Sequence, residues 1–221
     1  MYPPIAPRYL GVFGLVLVFL FVLLEFQIIQ VAYHKLGISH RAIVALLLMT
    51  ILGSYINVPV AAIPAQNLIH DQVVVVNGMP YIVPHVVALG RTVIAINVGG
   101  ALIPAILSIY VLVRIGGFIP ALAATAAVSV VVYHFARPVP GVGISIPGLL
   151  PGILAAVLAM LLDRRRSAAI AYVAGTMGCL IGADIMNLGI ISQMHAPVAS
   201  IGGAGTFDGV FTSGIIAVIL A

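Results

Sequence analysis

SAAIAYVAGTMGCLIGADIMNLGI, residues 167–190, is the stretch that decides the fold. It is long enough to cross a bilayer, which takes about 20 apolar residues, and its one charged side chain is Asp184. Ala171, Gly175, Gly178 and Gly182 fall on one narrow helical stripe, as expected where a second helix packs closely. Thr176, Leu180, Asp184 and Asn187 fall on nearly the opposite stripe. A helix with one close-packing face and one polar face has little surface left for lipid. It is expected at the centre of a bundle.

The remaining chain has the same character. Of its 221 residues 63% are apolar and 6% charged, with nine Lys and Arg against five Asp and Glu. An ordinary soluble domain is roughly 25% charged, so a soluble enzyme and a disordered tail are both excluded. Nine scattered basic residues make no nucleic-acid stripe, and no nucleic-acid partner is expected. The single Cys179 excludes an intrachain disulfide and a Cys-rich metal site. With no phosphate-loop, dinucleotide or zinc-ligand spacing, neither a metal nor a cofactor is expected.

Outward from 167–190, further apolar runs cover residues 9–32, 42–60, 92–113, 118–136, 147–162 and 206–221. The first is too long for a signal-peptide core and lacks a small-residue cleavage site, so it reads as a retained span. The expected fold class is all-α: a polytopic transmembrane bundle of about seven spans, one integral membrane domain over 1–221, its partner the lipid bilayer. Its oligomeric state is left open. The densest basic cluster, Arg164–Arg166, marks an inner loop by the positive-inside rule. That choice puts Lys35, Arg41 and Arg114 inside as well, and Arg8, Arg91 and Arg137 outside, with the N-terminus outside. The longest connection, 61–91, is then external. Within it QVVVVNGMPYIV, residues 72–83, sets β-branched runs around Asn77-Gly78 and predicts a short external β-hairpin with a two-residue turn.

Ionisable groups in hydrocarbon cost about 2.5–3.5 kcal/mol each even on the lenient insertion scale, so each needs a reason. Asp184 lies late in the sixth span and Asp208 opens the last. Asn57, Asn97 and His134 come out at the same outer level, with Asn187 beside Asp184. In the last span Gly205, Gly209 and Ser213 recur every four residues, with Asp208 and Thr212 on the adjoining face. Close packing of the two spans brings Asp184 and Asp208 together. Simpler roles compete: Asp208 as a first-turn carboxylate, Asp184 as a structural hydrogen-bonding group, His134 as an interfacial residue beside Tyr133. Two Pro/Gly-rich stretches, 137–152 and 195–209, are expected to be non-helical at membrane level and to flank this cluster.

At RPVPGVGI (137–144), GADIMNL (182–188) and GGAGTFDG (202–209) the sequence resembles a family of multi-pass membrane proteins of bacteria and archaea catalogued as a domain of unknown function. The resemblance implies a polytopic protein of the inner, cytoplasmic membrane and carries no activity. A second likeness concerns chemistry. Intramembrane aspartyl proteases of the presenilin and signal-peptide-peptidase group carry one aspartate late in a span and another opening the next in a Gly-x-Gly-Asp motif. Here Asp184 takes the first place and Gly205-Thr206-Phe207-Asp208 the second, with Phe207 where the family has glycine and Ala183 where it has tyrosine. It implies catalysis by Asp184 and Asp208 on a transmembrane peptide substrate. The alternative is an ion- or proton-coupled carrier binding a small ion or solute through Asp184, Asn187, Asp208 and Asn97, with Asn57, His134, Gly205 and Thr212 around the site. A non-catalytic assembly subunit, whose aspartates only hold helices together, is the third reading.

Overall fold

In a computed structural model, the structure describes residues 7–64, 68–76, 79–87, 91–139, 143–193, 198–203 and 209–221. The described elements are α1 (Pro7–Lys35), α2 (His40–Gly53), β1 (Asn57–Pro64), β2 (Leu68–Val76), β3 (Met79–Val87), β4 (Arg91–Asn97), α3 (Ile103–Ile115), α4 (Phe118–Phe135), β5 (Arg137–Val139), β6 (Gly143–Ser145), α5 (Leu150–Leu162), α6 (Ser167–Cys179), β7 (Val198–Ile201) and α7 (Gly209–Leu220). Two π-helical turns, Val98–Leu102 and Leu180–Ile185, lead into α3 and out of α6.

Among the described residues, four continuous helical stretches are long and apolar enough to cross a membrane: Gly14–Lys35, Val98–Ile115, Phe118–Phe135 and Ser167–Ile190. Their outer faces match that solvent, with Leu15 to Leu24 of α1 exposed as an unbroken apolar run. The chain is an integral membrane protein. Helices α2, α5 and α7 are apolar but have 14, 13 and 12 residues. At 1.5 Å per residue they reach at most about 21 Å, against a hydrocarbon core of about 30 Å. Among the described residues, four of the seven expected spans are matched by helices of spanning length and three by shorter apolar helices.

The shortening has a local cause. Expected spans two and three, 42–60 and 92–113, each include a strand: the helix stops at Gly53 and β1 begins at Asn57, while β4 occupies 91–97 before α3. NVPVAAIP and RTVIAIN are as apolar as a helix continuation, yet they pair with each other antiparallel. The all-α expectation is therefore incomplete. The expected hairpin is present but not short. β2 and β3 pair antiparallel from Leu68–Val87 to Val76–Met79, the expected Asn77-Gly78 turn itself lying outside the described residues, and β1 pairs with β4 with a bulge between Pro59 and Ala61. β7 joins β4 in parallel, giving a three-stranded sheet in the order β1-β4-β7.

The expected central helix is central. Nearly every described position of α6 is buried, from Ser167 through Cys179. The glycine stripe serves two neighbours rather than one. A Cβ on Gly175 would meet the Ser213 carbonyl of α7, whereas Cβ atoms on Gly178 and Gly182 would meet Val128 and the Ser129 carbonyl of α4. The ends also sort. Arg114 donates to the Gly37 carbonyl, Lys35 to the carbonyls of Val218 and Ile219, and the Ser167 hydroxyl to that of Ala221, while Arg166 lies over Gly116 and Gly117. The α1–α2, α3–α4 and α5–α6 connections and the C-terminus therefore share one basic end, and successive helices alternate in direction. The sheet lies at the other end.

Candidate functional site

At the sheet end α6 gives up α-helical geometry. From Leu180 to Ile185 the turn widens, and the Met186 amide donates to the Ile181 carbonyl five residues back. Asn187 compensates: its Nδ2 donates to the carbonyls of Gly182 (3.0 Å) and Ala183 (2.9 Å), acceptors a widened turn leaves without their usual partners. Single π-turns inside helices recur at functional positions, and this one carries Asp184. Its Oδ2 accepts from the Gly202 amide at 2.7 Å, so β7 and the turn after it fix the carboxylate.

Gly202 is required there. Its φ is +84°, and a Cβ would meet the Cβ and the amide nitrogen of Ala101. Its carbonyl in turn fills the space a Cβ on Gly100 would take. Val98–Leu102 thus interlocks with the turn after β7.

Asn97 closes the second half of the site. It is fully buried, its Oδ1 accepts from the Gly100 amide (2.7 Å), and its Nδ2 donates to the Ser54 carbonyl (2.8 Å) and to Asn57 Oδ1 (3.1 Å). Asn57 stands directly opposite on β1, and the Ser200 hydroxyl reaches its Oδ1 at 2.6 Å. Asn57 and Asn97 therefore form one polar connection with Ser200 and, through the β7 turn, with Asp184. Asn97 holds backbone on both sides, while Asn57 Oδ1 accepts from the side chains of Asn97 and Ser200. Asn97→Ala should leave the Gly100 amide and Ser54 carbonyl without side-chain partners, at about 1–3 kcal/mol for each group left buried and unsatisfied. A thermal melt in detergent should fall by several degrees; an unchanged melt would contradict this reading.

Beside Asp184 lies a cavity of about 500 Å³. Its walls are Ser145 at the end of β6 and Ile146 after it, Cys179 at the end of α6, Asp184 in the π-turn, and Gly209 and Thr212 in the first turn of α7. Most of the lining is apolar, with Asp184, Thr212 and Ser145 as its oxygen-bearing side chains. Of the Pro/Gly-rich stretches expected to be non-helical, 137–152 contributes β5 and β6 and then the start of α5, and 195–209 contributes β7, whose backbone pairs with β4.

The sequence candidates divide accordingly. Asp184 and Thr212 line one cavity, and Asn57 and Asn97 lie in the adjoining network. Asn187 turns back on its own helix. His134 is not brought in: it is exposed at the end of α4, edge-on to Tyr133 with ring centroids 6.1 Å apart. Asp208 and Gly205 lie outside the described residues. Gly202, Ser200 and Ser145 were not anticipated. The one available signal was the pair Gly202-Gly203 ending an alternating segment, where a turn needing positive φ is common. Among the described residues no three His, Cys, Asp or Glu side chains gather as a metal site.

A family model described as "Protein of unknown function (DUF1614)" matches residues 51–220, taking in every strand and all the helices after α2 begins. No curated protein and no solved structure gives a match.

Proposed function

The chain belongs to the DUF1614 family, and from that premise we propose that it is an intramembrane aspartyl hydrolase whose two carboxylates are Asp184 and Asp208. The observation carrying this reading is the cavity with Asp184 on one wall and Gly209 and Thr212 on another. Asp208 lies outside the described residues and immediately precedes Gly209 in the sequence, and that adjacency supports pairing the two carboxyls in this reading. Two carboxylates in low dielectric do not both ionise, and share one proton.

In the proposed cycle the ionised partner takes a proton from water as its oxygen adds to the peptide carbonyl carbon, and the protonated partner gives its proton to the carbonyl oxygen. The proton taken from water passes to the leaving nitrogen as the C–N bond breaks, and one hydroxyl of the tetrahedral diol gives its proton to the other carboxylate as the acid carbonyl forms. Acid and amine products leave with both aspartates restored. The substrate is a transmembrane peptide. In keeping with this reading the protein is one integral membrane domain of the prokaryotic cytoplasmic membrane, with the basic end inside and the hairpin outside.

A second reading has its own support. Irregular helix geometry beside a carboxylate is how ion-coupled carriers build binding sites, and the helix widens into a π-turn at Leu180–Ile185. On that reading Asp184 and Asp208 bind a cation, a proton or a small solute.

One experiment separates the two. Purified protein is reconstituted with single-span peptides of varied sequence, products are read by mass spectrometry, and cation uptake is followed in parallel. Cleavage that disappears in Asp184→Asn and in Asp208→Asn is the expected result. Peptides left intact beside uptake that depends on Asp184 would overturn the hydrolase reading in favour of the carrier.

A further inference from the structure

The basic end of the bundle carries a second concavity, far along the helices from Asp184. Between α2 and α3 a groove of about 570 Å³ is floored by Ala42, Leu46 and Met49 from one helix and Ile103 and Ile106 from the other. It is closed at one end by Tyr110 and Arg114. Met49, Ile106 and Tyr110 are each about half exposed, so the groove opens onto the face the bundle presents to lipid. From Ser39 to Met49 its floor runs about 15 Å.

The polar end is built rather than incidental. The Arg114 guanidinium lies over Gly37, whose φ of +72° suits glycine. Nη1 donates to the Gly37 carbonyl (2.9 Å) and the Tyr110 hydroxyl (3.0 Å), and the group sits 5.9 Å from the Tyr110 ring centroid. A guanidinium has five N–H donors, and among the described residues the Nε and Nη2 donors of Arg114 make no protein hydrogen bond. Arg41 is exposed in the first turn of α2, whose start adjoins the groove, and no acidic side chain lines it. Cationic donors at the membrane end of an apolar trough are complementary to an anion carrying a hydrocarbon tail.

We propose that this groove is a binding site for one anionic phospholipid, its phosphate on Arg114 and an acyl chain lying along Ala42, Leu46, Met49 and Ile106. The direction fits a bilayer lipid: the basic end holds the headgroup, and the floor runs away from it along both helices.

The test uses the full chain in detergent with three probes: dioleoylphosphatidylglycerol, dioleoylphosphatidylcholine and inorganic phosphate. Native mass spectrometry and thermal melts are read together. Phosphatidylglycerol should be retained and raise the melt, and phosphatidylcholine should not. Arg114→Gln should weaken phosphatidylglycerol retention about fivefold, the worth of roughly one basic contact. Ala42→Trp, which fills the floor and leaves Arg114 in place, should weaken it comparably and carries the test if the first variant folds poorly. Equal retention of the two lipids, or retention unchanged in Ala42→Trp, would overturn the proposal. Stabilisation by inorganic phosphate as strong as by phosphatidylglycerol would overturn it too, as a plain anion site.

Discussion

Asp184→Asn is expected to abolish peptide cleavage while the protein still folds. The substituted amide oxygen remains an acceptor for the Gly202 amide, now 2.7 Å from Oδ2, so the turn after β7 keeps its anchor. What is lost is the group that ionises. Removing a general base or acid costs about a hundred- to ten-thousand-fold in rate, and in a shared-proton pair neither partner replaces the other. The melt of Asp184→Asn should stay within a few degrees of the parent. Asp184→Ala should lose both activity and several degrees, because it also strands the Gly202 amide. Equal cleavage by parent and Asp184→Asn would remove Asp184 from the chemistry and leave it a structural acceptor.

The largest structural effect is expected from Gly202→Ala. At φ +84° a residue with a Cβ is strained by roughly 1–2 kcal/mol, and here the Cβ also lies 2.6 Å from both the Cβ and the amide nitrogen of Ala101. Overpacking of that kind adds about 1–3 kcal/mol. The combined loss of about 2–5 kcal/mol is a large part of the 5–15 kcal/mol a folded protein commands. Expression of folded protein and its melting temperature should both fall sharply, and cleavage with them, since the same turn holds Asp184. Gly189→Ala is the control: a Cβ there meets nothing within 4 Å. Similar melts for the two variants would show that the interlock of Gly202 with Ala101 and Gly100 is not what holds this end together.

The sequence was most legible where one physical signal acts alone. Residues 167–190 could be read as a span, with the boundaries the helix keeps, because a central helix is apolar all round and Asp184 interrupts it late. The hairpin was legible because Asn-Gly between β-branched runs encodes its own turn. The failures share a cause: hydropathy measures burial in lipid or protein and does not separate a buried strand from a helix end. VPVAAI after Asn57 and TVIAI before Asn97 satisfied the span criterion and turned out to pair with each other. The two π-turns coincide with close backbone approaches, Gly99 to the Thr50 carbonyl and Gly182 to that of Ser129, which no local pattern announces. The level shared by Asn57, Asn97 and Asp184 could be inferred from the topology. Their link through Ser200 and Gly202 could not, because it depends on the parallel pairing of β4 with β7.

The central proposal is that Asp184 and Asp208 act as one carboxyl pair, and proximity tests it most directly. In a Cys179→Ala background, cysteines placed at 184 and 208 are treated in membranes with a bifunctional thiol reagent spanning about the distance of a carboxyl pair with one water between. The account predicts rapid cross-linking within one chain, and none between 184 and a cysteine at Arg114 on the basic end. Cysteines at 184 and 208 that each react with a monofunctional reagent yet never bridge would contradict it.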